Sequence, residues 1–226
     1  VVNTGLSTFY RYVRLLGITR FRYRKPPPTQ GIRADRPHGL WHTDVTILKM
    51  GGKRFYLHLL MDNFSRYVLN WKLEETLRGR TVRDMLAEAL ASCRPADVWL
   101  MVDGGPENNN SEVETLIADS DGTVRKLIAQ KDIDFSNSMV ESVNHLIKNS
   151  YLWPMGINDP CQLREVIASV IHDINYVRPH NAIGGLIPVE ALKGIAINAT
   201  ERRQQLLKAR AERMEYNRRN TCGECL

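Results

Sequence analysis

The residues that decide the fold run Leu40-Trp41-His42-Thr43-Asp44-Val45-Thr46-Ile47-Leu48-Lys49-Met50, then Gly51-Gly52, then Phe55-Tyr56-Leu57-His58-Leu59-Leu60-Met61. Both runs are rich in branched and aromatic side chains that suit a pleated sheet, and the glycine pair between them marks a tight hairpin. Asp62-Asn63-Phe64-Ser65 makes a second turn, and Arg66 to Leu73 supplies a third strand. Three antiparallel strands in succession form a meander. One residue breaks the pattern. Asp44 stands mid-strand, on the face it shares with His42 and Thr46, and aspartate is depleted in strands because its buried charge is costly unless a donor or a metal compensates it.

Downstream, Thr81 to Ser92 is an amphipathic helix with Val82, Met85, Leu86, Ala89 and Leu90 on its apolar side. Val98 to Val102 is short and wholly apolar, the mark of a strand buried on both faces as parallel strands are. Glu112 to Ala118 is helical, and Val124 to Ala129 fits strand or helix equally. Met139 to Tyr151 and Gln162 to Tyr176 are helices, Pro188 starts a short one, and an Arg-rich helix covers 200–219. Upstream, Ser7 to Leu16 is a helix with Ser7 as N-cap and Gly17 as its stop. Lys25-Pro26-Pro27-Pro28-Thr29-Gln30-Gly31 is a semi-rigid, extended linker. The order of elements gives an α/β fold, a mixed sheet flanked by helices. The chain divides into residues 1–24, a Pro-rich linker over 25–37, a core over 38–195 and a basic helix and tail over 196–226.

A chain of 226 residues, 43% hydrophobic and 25% charged, can bury a sizeable core without staples. No apolar run approaches the roughly 18 residues a membrane span needs, and four cysteines are too few and too scattered for a disulfide framework. On this reading a membrane protein and a disulfide scaffold are ruled out, and a reducing compartment is expected. The formal charge of +6 suggests an anionic partner. That charge is unevenly placed. Residues 1–40 hold eight Arg/Lys and one acid, residues 201–226 hold seven and four, and the centre is mildly acidic. Since the chain opens Val1-Val2-Asn3 without methionine, it reads as a piece of a longer protein.

Two further carboxylates join Asp44. Asp103 ends the apolar strand and precedes Gly104-Gly105-Pro106, where ligand sites gather in α/β sheets. Glu141 sits one turn into a helix capped by Ser138, with Asn144, His145 and Lys148 within two turns of it. Singly, each residue has a structural explanation: a hydrogen-bonded strand Asp, an Asx-turn, a capping box. Together they make a constellation, because clustered carboxylates stay ionised only around a cation. Hard oxygen ligands in an open site select Mg²⁺ or Mn²⁺, and two such ions serve an in-line phosphoryl displacement. Asp62 reads as a turn residue, Glu107 as a lesser rival, and Asp132 and Asp134 as loop residues. Cys222-Gly223-Glu224-Cys225 is half a zinc site at most.

Trp41-x-x-Asp44, Asp62-x-x-Ser65-Arg66, Asp103-x-Gly105-x-x-Asn108 and Glu141-x-x-Asn144-x-x-x-Lys148 closely resemble the catalytic core of retroviral integrases and bacterial insertion-sequence transposases, the DDE superfamily. A fifth segment, Asn175-Tyr176-x-Arg178-Pro179-His180-x-Ala182 with Pro188-x-Glu190-Ala191-Leu192, is similar to the tail of that core in bacterial transposases. The resemblance spans about residues 38–195. It implies a ribonuclease H-like sheet with basic helical N- and C-terminal extensions. It also implies metal-dependent DNA cleavage and 3′-hydroxyl strand transfer, with Asp44, Asp103 and Glu141 as catalytic and metal-binding residues and Mg²⁺ or Mn²⁺ as cofactor, two ions once DNA is bound. Asn144 and Lys148 match positions where side chains approach DNA, and Arg178 and His180 lie in the bacterial motif, so all four are candidate DNA contacts. Residues 1–24 become a remnant of a DNA-binding domain. The expected partners are DNA and further copies of the chain, with no membrane and no small-molecule substrate, in a bacterial cytoplasm. Two departures stand out. Gly104 replaces the usual Asn, and the interval from Asp103 to Glu141 is slightly long, which an insertion around Asp119-Ser120-Asp121-Gly122 explains. The competing readings are a nuclease of the same fold without strand transfer, and a non-catalytic DNA-binding module derived from a transposase.

Overall fold

The computed structural model describes residues 6–17, 32–105, 108, 110–129, 138–157, 159–196 and 198–219. By internal contacts the chain divides into two units, Val1–Gln30 and Gly31–Leu226. In the first, the described element is helix α1, Leu6–Leu15.

The second unit is built on five strands: β1 (Leu40–Met50), β2 (Lys53–Asp62), β3 (Val68–Glu74), β4 (Val98–Val102) and β5 (Val124–Ile128). Their order across the sheet is β3-β2-β1-β4-β5. The first three pair antiparallel, while β4 and β5 run parallel to β1. Gly51 and Gly52 both adopt positive φ, 54° and 74°, which lets the hairpin turn follow the right-handed twist of its strands. The segment Val124–Ile128, ambiguous by pattern alone, is a strand because β4 offers it a parallel ladder from Val98↔Val124 to Val102↔Ile128.

Alternation along the strands sorts the core into two layers. On one face Leu48, Phe55, Leu57, Leu59, Met61 and Leu73 pack against helices α4 (Ser138–Leu146) and α6 (Pro160–Tyr176). On the other, Trp41, Leu60, Val98, Leu100 and Val102 pack against α2 (Gly79–Cys93), with α3 (Ser111–Ala118) beside it. Buried Asn175 near the end of α6 locks that helix to the sheet, its amide accepting from Val68 N–H at 2.8 Å and donating to Val68 C=O at 2.9 Å.

The stretch expected as one helix from Met139 to Tyr151 differs in detail. Its α-helical part ends at Leu146, and a π turn occupies Ile147–Leu152. The wider turn carries one extra residue, so the buried row steps from Ile147 to Leu152, five positions on rather than four. Short helices α5 (Trp153–Met155) and α7 (Pro188–Leu192) and the long α8 (Ala199–Arg219) complete the described elements, with a 3₁₀ turn at Asn181–Ile183. None of the described helices is long and apolar enough to cross a membrane.

Candidate active site

Asp44 lies on the central strand. Leu48 belongs to the α4/α6 layer and Trp41 to the α2 layer, so the even-numbered residues of β1, Asp44 among them, face α4. There Asn144 donates its side-chain N–H to Asp44 Oδ2 at 2.7 Å. This bond joins the helix to the strand, alongside the packing of Val140 and Val143 into the core. Burial pushes the Asp44 carboxyl up to about 6, against the opposing pull of the Val45 backbone N–H and the Asn144 amide, while the negative charges of Asp103 and Glu141 raise it further.

Asp103 follows the last residue of β4. The parallel ladder between β1 and β4 runs to His42↔Met101, which leaves Asp103 just past the end of β4 on the side of the sheet where β1 carries Asp44, and its charge acts on the Asp44 carboxyl. Asp103 Oδ1 accepts from Gly105 N–H at 3.3 Å and from the Asn108 amide. Asn108 is itself buried, and its backbone carbonyl accepts from Lys126 Nζ of β5 at 2.7 Å. Lys126 in turn pairs with Glu114 of α3. The Asp103 side chain is thus oriented by a chain of contacts reaching across β5 to α3.

Glu141 is exposed on the first turn of α4, three residues before Asn144, so it shares the helix ridge that Asn144 docks on Asp44. Among the described residues no three His, Cys, Asp or Glu side chains are gathered closely enough to hold an ion. Coulombic influence on Asp44 reaches further than a coordination bond, so the three carboxylates share a locality without being drawn around one centre. The donor set fits a hard divalent cation. Asp44 is a partly buried carboxylate lifted by desolvation and then by two like charges, and an added positive charge is what would keep it ionised.

Lys148, one turn beyond Asn144, is the second residue of the π turn and lines a cleft of about 350 Å³ with Leu48, Met50, Leu152 and Trp153. Arg178 and His180 are elsewhere, in the connection between α6 and α7. The Arg178 guanidinium donates to Tyr151 Oη at 3.0 Å and lies 5.9 Å from the centre of that ring, and His180 Nδ1 accepts from Ala182 N–H at 3.1 Å. The structure therefore brings Asp44, Asp103, Glu141 and Asn144 together, puts Lys148 one turn away, and gives Arg178 and His180 different neighbours. Asp62 closes its turn, accepting from His38 N–H, Ser65 N–H and Ser65 Oγ–H at 2.8, 2.8 and 2.6 Å. Asn108 is the residue the sequence reading missed as a site member. Its signal was its place in the Asp103-x-Gly105-x-x-Asn108 motif. Glu107, Asp132, Asp134, Cys222 and Cys225 lie outside the described residues.

Comparison with known proteins fits this geometry. The integrase core domain family matches residues 34–140, and a second family of the same description matches residues 135–188. The chain is 23% identical over 159 residues to the putative transposase InsK for insertion sequence element IS150 of Escherichia coli strain K12, covering 70% of this chain and 56% of the relative. It is 26% identical over 161 residues to the transposase InsF for insertion sequence IS3A of the same strain, covering 70% and 55%. The chain thus spans about half the length of the curated relatives it matches. Among solved structures, the HTLV-2 integrase catalytic core domain in complex with magnesium, in its trimeric form, superposes with a TM-score of 0.56 at 21% identity, covering 70% of this chain and 99% of that one. A chain of the simian T-cell lymphotropic virus intasome in complex with PP2A regulatory subunit B56 gamma gives 0.63 at 17% identity, covering 86% and 72%. The sheet is the ribonuclease H-like sheet of those cores.

Proposed function

Because the chain belongs to the integrase core family of DDE transposases and integrases, we propose that it cuts a DNA strand and joins the freed 3′-hydroxyl to a second phosphodiester, using Asp44, Asp103 and Glu141. The observation that carries this reading is the grouping of Asp103 and Glu141 close enough for their charges to act on Asp44, under a helix that Asn144 ties to Asp44.

Asp44, Asp103 and Glu141 would hold two divalent cations, Mg²⁺ or Mn²⁺, once DNA is bound. When bound, such ions supply an acidified attacking water or hydroxyl and charge neutralisation at the phosphoryl oxygens. The remaining work belongs to the chain. Asn144 donates to Oδ2 of Asp44 and the Val45 backbone N–H also donates to that carboxylate, while Asn108 and Gly105 donate to Oδ1 of Asp103. Each carboxylate is thereby oriented by fixed donors, the preorganisation that displacement chemistry requires. Glu141 brings a third carboxylate on an exposed turn, where it can close on the ions as DNA enters. Lys148 contacts a backbone phosphate near the cut, and Asn144 lies beneath that phosphate. Basic side chains of α1 and α8 add contacts to the DNA backbone, giving weakly sequence-specific, salt-dependent binding. Synapsis of two DNA ends requires more than one copy of the chain.

A labelled-oligonucleotide assay with Mg²⁺ or Mn²⁺, scored for nicked and for joined products, tests the proposal against Asp44→Asn, Asp103→Asn and Glu141→Gln. Joined products from the parent, absent from all three variants, are expected. Nicking without joining would favour a nuclease, and unchanged activity in any variant would remove that residue from the site.

A further inference from the structure

Two sequence motifs remain outside the triad: Asp62-x-x-Ser65-Arg66 and Arg178-Pro179-His180. The fold brings them together. Arg66 ends the turn after β2 with left-handed backbone, φ 66°. Arg33 approaches from the segment leading into β1 and donates to the Ala182 carbonyl at 2.6 Å. Asn63 holds that segment in place, accepting from Ala34 N–H at 2.7 Å and donating to the Ile32 carbonyl at 3.0 Å. His180 and Arg178 arrive on the loop after α6. Three stretches far apart in sequence thus converge on one rigid frame.

The charges at this place are unbalanced. Arg66 makes no side-chain hydrogen bond or ion pair among the described residues, and its Nε is buried without a partner. The compensating acid beside it is Asp62, whose carboxylate already receives three donors. His180 is held below its ordinary range by burial and then by the positive charges of Arg66, Arg178 and Arg33. Ala182 links two of these groups directly, its C=O accepting from Arg33 and its N–H donating to His180 Nδ1, and the positive charges of Arg66 and Arg178 act on the same imidazole. With Nδ1 accepting from Ala182 N–H, the neutral ring carries its proton on Nε2 and presents a donor there. A half-buried arginine, a ring N–H and two exposed arginines make a set of donors whose neighbouring carboxylate, Asp62, is already engaged by three other donors, the complement of a phosphate group.

The geometry points to a second DNA-backbone site, in which Arg33, Arg66 and His180, with Arg178 at the rim, grip a phosphodiester remote from the reacting one. It rests on the nucleic-acid reading above. Asp62 pairs with Trp41, three residues before Asp44 on β1, so the gripped phosphate lies about 10 Å or more from the carboxylates. That corresponds to roughly three nucleotides along a strand. Its role is to fix the register of the strand while the triad acts.

The test is fluorescence anisotropy of the whole chain with a labelled DNA duplex over a range of salt, alongside thermal melts in inorganic phosphate. Arg66→Asn suits the left-handed backbone, which asparagine tolerates, and Arg66→Lys restores charge. Arg66→Asn and Arg33→Gln should each weaken binding about tenfold and lower the salt slope by about one. Arg66→Lys should recover most of the affinity, and the melting temperatures should show each variant folded. DNA binding that is indifferent to these substitutions overturns the site and leaves the parent reading standing. A parent chain that binds no DNA overturns both. Phosphate that stabilises the parent but not Arg66→Asn, with DNA affinity unchanged in that variant, would reassign the site to a small free phosphate.

Discussion

Asp44 is the residue on which the site turns, and its environment has a consequence for stability. Its carboxyl sits near 6 in the folded chain against about 3.9 when unfolded, so between those values the folded state holds the extra proton. Stability from this group therefore falls as pH rises from about 4 to about 6, and stays low above that. His58 acts in the opposite sense over much of the same range. It is fully buried, neither ring nitrogen has a partner among the described residues, and burial lowers it to about 4. It therefore costs stability as pH falls from 6.5 toward 4. The two are separated by comparison. Urea denaturation without divalent metal should show Asp44→Asn gaining on the parent between pH 4 and pH 6, by ~2 kcal/mol at most, and Mg²⁺ should narrow the gap at pH 7. A pH-independent difference would contradict the assigned environment. Asp44 was legible in the sequence because a charge mid-strand is conspicuous. Asn108 was less so: an amide after a glycine turn reads as ordinary loop chemistry, and only the folded contacts of its side chain and carbonyl give it a task.

At the scale of elements, periodicity revealed most of the sheet and the helix faces. Gly51-Gly52 named its own turn, and Val98 to Val102 declared its burial by having no polar residue. Val124–Ile128 could not be assigned that way, because its strand state depends on β4 as a partner. Nor could the π turn at Ile147–Leu152, since one added residue leaves the composition helical. That turn is testable by deletion. Removing exposed Ser150 returns Ile147 and Leu152 to a four-residue spacing that an ordinary α-helix buries on one face. The shortened chain should fold with stability within about 1 kcal/mol of the parent, as read by denaturant midpoint. Loss of cooperative folding would show that the wide turn is required by the core, not merely accommodated by it.

For the molecule as a whole, the charge asymmetry is the feature most readily seen in sequence, and the structure gives part of it a shape. Helix α8 is exposed along nearly all of its described length, and Arg202 donates to the Gly185 carbonyl at 3.2 Å near its start. Ending the chain after Arg203 removes Lys208, Arg210, Arg213, Arg218 and Arg219 while keeping that contact. The melting temperature should hardly move, whereas the salt slope of DNA binding should fall by about two to four. An unchanged slope would remove α8 from the DNA path. The Arg33–Arg66–His180 cluster was not legible in advance, because its members come from three distant segments that only the β1–β2–β3 meander and α6 bring together.

The central claim is that Asp44 and Asp103 hold the metal. The direct measurement is activity of Asp44→Cys and Asp103→Cys in Mg²⁺ and in Mn²⁺, since a thiolate is a poor ligand for the harder ion and a better one for the softer. Both variants should be inactive in Mg²⁺ and regain joined product in Mn²⁺, with a Mn²⁺ to Mg²⁺ ratio well above that of the parent. Equal loss in both ions, or activity kept in Mg²⁺, would contradict metal ligation by these two residues.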